Sequence, residues 1–340
     1  VDDQAYESTL RDQVLQSVNE PEPTWIDEFM LTKEEFDAIA DPEFIVQGLI
    51  VKGHVIVIAA APGAGKTTIF FHLAGRMAAN GLKVIYVNAD VSAGDAKYYH
   101  EKATKQGINL LLPDMKVGTS MNDVVNAIAS QNNQGADLSN TVFIFDTLKK
   151  MADVIQKGSI KRLLLLMRSL SAKGATIILL AHTNKFAGAD GRPVFEGTGD
   201  LRADVDELIY LIPQKNSDGS MTVSVEPDKT RADIESMSFS ISASRHVERL
   251  SEFVDVAAQT KRLTALEADQ EAIERVTEAL TAGKYKHAEI IEYCTEHGLT
   301  RRKLTTVLSK YSKGLDQKWR MEKGFQYNSK NYYLMGKTSV

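Results

Sequence analysis

The sequence predicts an α/β fold built on a mostly parallel sheet, with a small basic unit after it. Three observations carry this. Short apolar, β-rich runs alternate with helical segments from residue 44 onward, a glycine-rich string joins the first long run to a helix, and the chain end turns to basic amphipathic helices. In order, residues 1–43 read as an acidic arm or linker broken by Pro21, Pro23 and Pro42, with one amphipathic stretch at 25–39. Strands are expected at 55–59, 84–87, 141–145, 176–180 and 208–212, and their alternation with helices requires a parallel sheet covered on both faces. Two alternating runs, 221–225 and 237–241, read as an antiparallel extension, which makes 44–246 one core. Charged residues 247–268 read as a connector, and 269–337 as helix, helix, helix, hairpin.

Composition narrows the classes. The chain has 340 residues, 43% apolar and 25% charged, which suits about two globular domains and excludes a disordered tail. Its single cysteine, Cys294, removes a disulfide framework and any Cys-rich zinc site. Of the seven histidines only His287 shares a plausible helix face with that cysteine, so no metal cage is expected. No apolar run approaches the roughly 18 residues that span a bilayer. The start Val1-Asp2-Asp3 lacks the regions of a secretory leader. The expectation is a cytoplasmic protein with no membrane partner. A start on Val1 rather than methionine also admits a piece of a longer polypeptide. The net charge of −5 conceals an asymmetry: from Leu299 onward ten Lys or Arg face two acids, a local +8 that leaves −13 on the rest. A basic end on an acidic body points to an anionic partner, most simply nucleic acid.

The run Ala60-Ala61-Pro62-Gly63-Ala64-Gly65-Lys66-Thr67-Thr68 follows a strand and opens a helix, the context a P-loop requires. Its glycines let backbone N–H groups turn toward phosphates, and the helix N-terminus adds positive potential. Residues 62–68 (Pro62, Gly63, Ala64, Gly65, Lys66, Thr67, Thr68) are the candidate nucleotide cradle, with Lys66 on the terminal phosphates and Thr67 on Mg²⁺. Ala60 stands where the first glycine is usual.

Asp146 closes the run 141–145, and an acid at the end of a strand beside the P-loop strand can hold Mg²⁺ together with Thr67. Thr147 follows it where many ATPases carry the water-activating Glu, so the base must come from elsewhere. Asp90, beyond the strand after the P-loop helix, stands where the RecA-like arrangement, which the P-loop and strand-end acid resemble, places the base; the alternative is an N-terminal cap on the next helix. His182 ends the fourth strand and is either a γ-phosphate sensor or a structural histidine. The glycine-rich loop 185–202 that follows is long enough to be functional, and carries Lys185 and Arg192 as candidate DNA contacts. Lys229 and Arg231, two residues apart at an expected hairpin, are either a cation pair for a phosphate or a solvated tip.

Taken together, Ala60 to Thr68, Asp90, Phe145-Asp146-Thr147-Leu148, Ala181-His182-Thr183-Asn184-Lys185, the stretch 197–207 and Lys229-Thr230-Arg231 resemble the RecA-type ATPase core. Within that class the set is similar to the RepA-like hexameric replicative helicases, relatives of DnaB-type enzymes, over residues 44–245. The resemblance implies ATP and Mg²⁺ as cofactors and a homo-hexameric ring with sites between subunits. It implies Lys66, Thr67, Asp90 and Asp146 in one subunit, His182 as sensor, and Lys229 with Arg231 reaching a neighbour's γ-phosphate. It also implies a channel loop at 185–202 on single-stranded DNA. Asp90 in place of Glu is the main departure.

At the basic end, Ile273, Val276 and Leu280 mark one apolar stripe, Ala288, Ile291 and Cys294 a second, and Leu304, Val307, Leu308 and Tyr311 a third. With the hairpin near 318–335 the pattern resembles a winged helix whose third helix, capped by Thr300, is in the recognition position. Arg301, Arg302, Lys303 and Lys330 are its candidate duplex DNA contacts; protein contact is the alternative use. The leading functional expectation is an NTP-driven DNA helicase or translocase of plasmid, phage or mobile-element replication. The alternatives are an ATP-switched DNA-binding initiator or regulator and the helicase module of a primase-helicase; the loop lengths disfavour a strand-exchange recombinase.

Overall fold

In the computed structural model, residues 24–37, 42–133, 136–151, 157–184, 193–195, 199–324 and 329–335 are described. A 3₁₀ turn at Asp27–Phe29 and the short helix α1 (Lys33–Asp37) leave Trp25, Phe29 and Phe36 exposed, so the apolar stripe of the arm is not buried on the rest of the chain. A small hairpin of β1 (Phe44–Val46) and β2 (Ile50–Val51) then leads into β3 (Val55–Ala60), every residue of which is buried.

The central unit alternates strand and helix: α2 (Lys66–Ala79), β4 (Lys83–Asn88), α3 (Ala93–Gln106), β5 (Asn109–Leu111), α4 (Met121–Asn133), β6 (Thr141–Asp146), α5 (Leu148–Met151), α6 (Lys157–Ser171), β7 (Thr176–His182), α7 (Gly199–Asp204) and β8 (Glu207–Lys215). Then come β9 (Met221–Lys229), β10 (Met237–Ile241) and β11 (Val247–Arg249). Together with β3 they form one nine-stranded sheet in the order β11-β10-β9-β8-β3-β7-β6-β4-β5. The strands from β5 to β8 in that order pair in parallel, and β9, β10 and β11 continue antiparallel.

Strand side chains alternate between two cores although both are apolar. Ile56 and Ile58 pack with Phe70, Phe71 and Leu73 of α2, whereas Val55 and Val57 join Leu163, Leu164 and Met167 of α6 on the other face. This two-sided burial is why the strands read as continuous apolar runs.

One expectation is corrected here. β6 does not lie beside the P-loop strand: β7 is inserted between β3 and β6. Residues 247–268, read as a connector, hold regular structure. β11 pairs with β10, and the 26-residue helix α8 (Val256–Thr281) runs through the expected junction, started by Asp255, whose side chain accepts from the Ala258 N–H at 2.8 Å.

α8 touches β8 and β9, and its later turns join α9 (His287–Glu296), α10 (Arg301–Lys310) and the hairpin of β12 (Trp319–Lys323) and β13 (Lys330–Leu334) around a separate core. Trp319 is buried at its centre, its indole N–H donating to the Leu308 carbonyl at 2.9 Å. In α9 the buried residues are Ile290, Ile291 and Cys294, while Ala288, expected on that stripe, is exposed. Burial pushes the Cys294 thiol up to about 11, which suits a packing residue rather than a ligand. Among the described residues no helix is long and apolar enough to cross a membrane.

Candidate nucleotide site

The loop between β3 and α2 turns through Gly63 and Gly65, both at positive φ (74° and 86°). At Gly65 the left-handed φ favours glycine, and a Cβ there would stand 2.5 Å from Ile241 Cδ1, whose side chain would have to shift. No side chain caps α2 at this N-terminus, so its first N–H groups are left for an anion. Lys66 is buried, and its Nζ donates to the carbonyls of Ala60 (3.0 Å) and Ala61 (3.2 Å) and meets His182 Nδ1 at 3.4 Å. Burial lowers the Lys66 ammonium from its ordinary value, while Asp146 and Asp90 pull it back up.

Strand register sets the rest. β7 pairs with β3 so that His182 lies beside Ala60 at the root of the loop. One strand further, Asp146 ends β6, and its Oδ2 accepts from Thr67 Oγ1 at 2.6 Å and from the Tyr86 hydroxyl at 3.0 Å. Burial raises the Asp146 carboxyl, and the two hydrogen bonds work against that rise. Burial and the adjacent carboxylate push the Tyr86 phenol well up, keeping it a donor. Thr67 and Asp146 thus present hard oxygens side by side, the donor type Mg²⁺ takes with phosphate and water. Among the described residues no cluster of three or more His, Cys, Asp or Glu could hold a metal by itself.

The loop, Lys66, Thr67, Asp146 and His182 line a cleft of about 440 Å³ together with Asp90, Asp95, Tyr99, Met221, Ile241 and Arg245. Asp90 is exposed in the cleft and is not a helix cap: α3 starts at Ala93, and Ser92 caps it by accepting from Asp95 N–H. Sequence reasoning missed Tyr86, Tyr99 and Arg245. Arg245 sits in the β10–β11 turn at φ 62° with its guanidinium 5.9 Å from the Tyr98 ring centroid. A basic residue just after the alternating run 237–241 was the available signal. Arg245 stands with Lys66 as a second cation in the cleft.

Lys229 and Arg231 are not in this cleft. Lys229 Nζ donates to the carbonyls of Arg202, Ala203 and Val205 at the end of α7. Arg231 pairs with Asp206 at 3.0 Å, and Asp206 also accepts from Val55 N–H at the start of β3. The P-loop begins beyond the other end of β3, five residues on, or roughly 16 Å of extended strand. The pair is therefore at the opposite end of β3 from its own P-loop.

At the basic end, Arg301 and Arg302 are exposed in the first turn of α10, which Thr300 caps by accepting from Lys303 N–H, and Lys330 is exposed on β13. Lys303 departs from expectation: it turns onto Asp269 of α8, which also takes Lys310 at 2.7 Å and the Tyr311 hydroxyl at 2.9 Å. Burial opposes ionisation of Asp269, but these hydrogen bonds prevail and hold its carboxyl at about 2. Lys185 and Arg192 lie outside the described residues.

Known proteins bear on this geometry. A family model described as AAA domain matches residues 27–188, just under half of the chain. The fold is that of a RecA-like P-loop ATPase. Two curated relatives are similar to parts of it. The DNA repair protein RadA of Brucella abortus is 23% identical over 177 residues, 47% of this chain and 37% of the relative. The DNA repair protein RadA of Campylobacter jejuni is 30% identical over 70 residues, 21% of this chain and 16% of the relative. The chain thus spans well under half the length of the curated relatives it matches. The crystal structure of the flagellar accessory protein FlaH from Methanocaldococcus jannaschii covers 61% of this chain and 93% of its own at 15% identity and a TM-score of 0.44.

Proposed function

We propose that the chain is an ATP-driven DNA helicase or translocase that works as a homo-hexameric ring of the RepA-like type. The observation that carries this reading is the division of charged groups. Lys66, Thr67, Asp146, His182 and Asp90 converge on one cleft, while Lys229 and Arg231 stand at the opposite end of β3, where the phosphate they can serve is a neighbouring subunit's. The names of the RadA relatives support a link to DNA, as does the +8 chain end.

In this reading Lys66 and the N-terminus of α2 bind the β- and γ-phosphates of ATP. Thr67 and Asp146 would hold Mg²⁺, which when bound supplies charge neutralisation to the phosphates. Asp90 orients a water and takes its proton as the oxygen attacks the γ-phosphorus; the bond to the β-phosphate oxygen breaks, leaving ADP and phosphate. A neighbour's Arg231 stabilises the charge that develops. His182, beside Lys66, registers loss of the γ-phosphate and passes it to the segment after β7. The unit at 269–337 is a winged helix that contacts DNA through Arg301, Arg302 and Lys330.

Strand displacement on forked DNA with ATP, together with negative-stain imaging, tests this. Unwinding by six-membered rings is expected. ATP-dependent assembly on DNA without displacement would instead establish the second reading, an ATP-switched initiator, which the shorter reach of Asp90 favours.

A further inference from the structure

The C-terminal unit carries an aromatic pair that its core does not use. Tyr332, Tyr311 and Trp319 fill that core, whereas Tyr285 and Tyr333 lie outside it and Tyr285 is 43% exposed. The two outer rings stack, with centroids 5.3 Å apart and planes 27° from parallel. The Arg320 guanidinium lies over Tyr333 at 5.3 Å, directly across the β12–β13 ladder. Tyr285 is held by backbone: its carbonyl accepts from Tyr332 N–H at 2.9 Å, and Lys286 bridges to Asn331, so the segment before α9 forms a third edge of the hairpin. Tyr285 keeps this exposure with Tyr333 stacked on it. The surroundings are basic. Lys284 and Lys286 flank Tyr285 in sequence, with Lys286 3.6 Å from Glu289, and Lys330 and Arg301 both act electrostatically on His287 two residues away.

We infer that Tyr285, backed by Tyr333, is a stacking platform for an unpaired base, so that the C-terminal unit engages single-stranded DNA as well as duplex. Every base offers a π-face to a fixed aromatic ring, but only when it is not stacked inside a duplex, and the local +8 charge attracts the strand's phosphates. The inference rests on the reading of this unit as a DNA-contacting module, and it adds the strand type and the residue that selects it.

The test is fluorescence anisotropy on the full chain with three probes: a single-stranded 20-mer, the same strand made abasic, and a duplex. Tyr285→Ala should weaken binding to the base-bearing single strand about ten-fold and leave the abasic strand and the duplex within about two-fold; Tyr285→Phe should bind like the parent. Because a ring also binds single strands, a local readout is needed: Tyr285→Trp in a Trp25→Phe background should be quenched by the base-bearing strand and not by the abasic one. Unchanged single-strand affinity in Tyr285→Ala, equal loss on duplex, or an unquenched Trp overturns the platform. Arg301→Ala with Arg302→Ala separates the two ideas. If that variant loses duplex affinity while Tyr285→Ala changes nothing, only the platform falls; if neither variant alters binding to any probe, the DNA reading falls with it.

Discussion

Thr67 Oγ1 donates to the Asp146 carboxylate across 2.6 Å, joining the first turn of the P-loop helix to the end of a strand two places away in the sheet. Seventy-nine residues separate them in sequence, yet the strand order brings both to the mouth of the same loop. Everything proposed for catalysis depends on that convergence.

Lys66→Ala should abolish nucleotide hydrolysis, a loss of at least about 10²- to 10³-fold in kcat, because the buried ammonium is the cation the loop itself supplies to the terminal phosphates. Steady-state phosphate release checks it; unchanged turnover would remove the ATPase reading.

Asp90→Asn should bind ATP with near-parental affinity and hydrolyse it about 10²- to 10⁴-fold more slowly. Since Ser92 rather than Asp90 caps α3, no loss of helix stability should accompany the change. Equilibrium binding of a fluorescent nucleotide, single-turnover hydrolysis and a melting curve separate the roles. Normal hydrolysis would place the base elsewhere.

Arg231→Ala should bind ATP normally and fail to hydrolyse it, because its own P-loop lies at the other end of β3. Mixing this variant with Lys66→Ala should restore part of the activity, as one mixed interface pairs an intact P-loop with an intact Arg231. No recovery in confirmed mixed assemblies would leave Arg231 as the structural partner of Asp206. Retained hydrolysis in Arg231→Ala would point to the cleft cation Arg245 instead.

Asp269 should make the C-terminal unit acid-sensitive. Its carboxyl is at about 2 in the folded chain against an ordinary 3.8, so it favours folding fully above about pH 4, and that contribution is lost as pH falls toward 2. Asp269→Asn should lower stability at neutral pH by about 2 kcal/mol, since hydrogen bonds from two ammonium groups weaken. Denaturant titrations followed by Trp319 fluorescence should show parent and variant converging in acid; a constant gap would exclude the ionised carboxylate as the cause.

The sequence by itself determined the parts whose signal is local. A continuous apolar run bounded by turns marks a strand, as at 55–59 and 141–145, and the spacing of Gly63, Gly65 and Lys66 marks a phosphate loop because backbone geometry there tolerates few alternatives. The periodic stripe of Leu304, Val307, Leu308 and Tyr311 likewise marked a buried helix face. Tertiary structure alone decided how those parts meet. Strand order is set by long-range pairing that leaves no trace in any one segment, so the insertion of β7 between β3 and β6 was not legible, nor was the arrival of Tyr86 at Asp146. Side-chain direction was equally hidden: Arg302 and Lys303 are adjacent in sequence, but one faces solvent and the other turns onto Asp269, because a helix advances about 100° per residue and only the packing of α8 says what lies on each side.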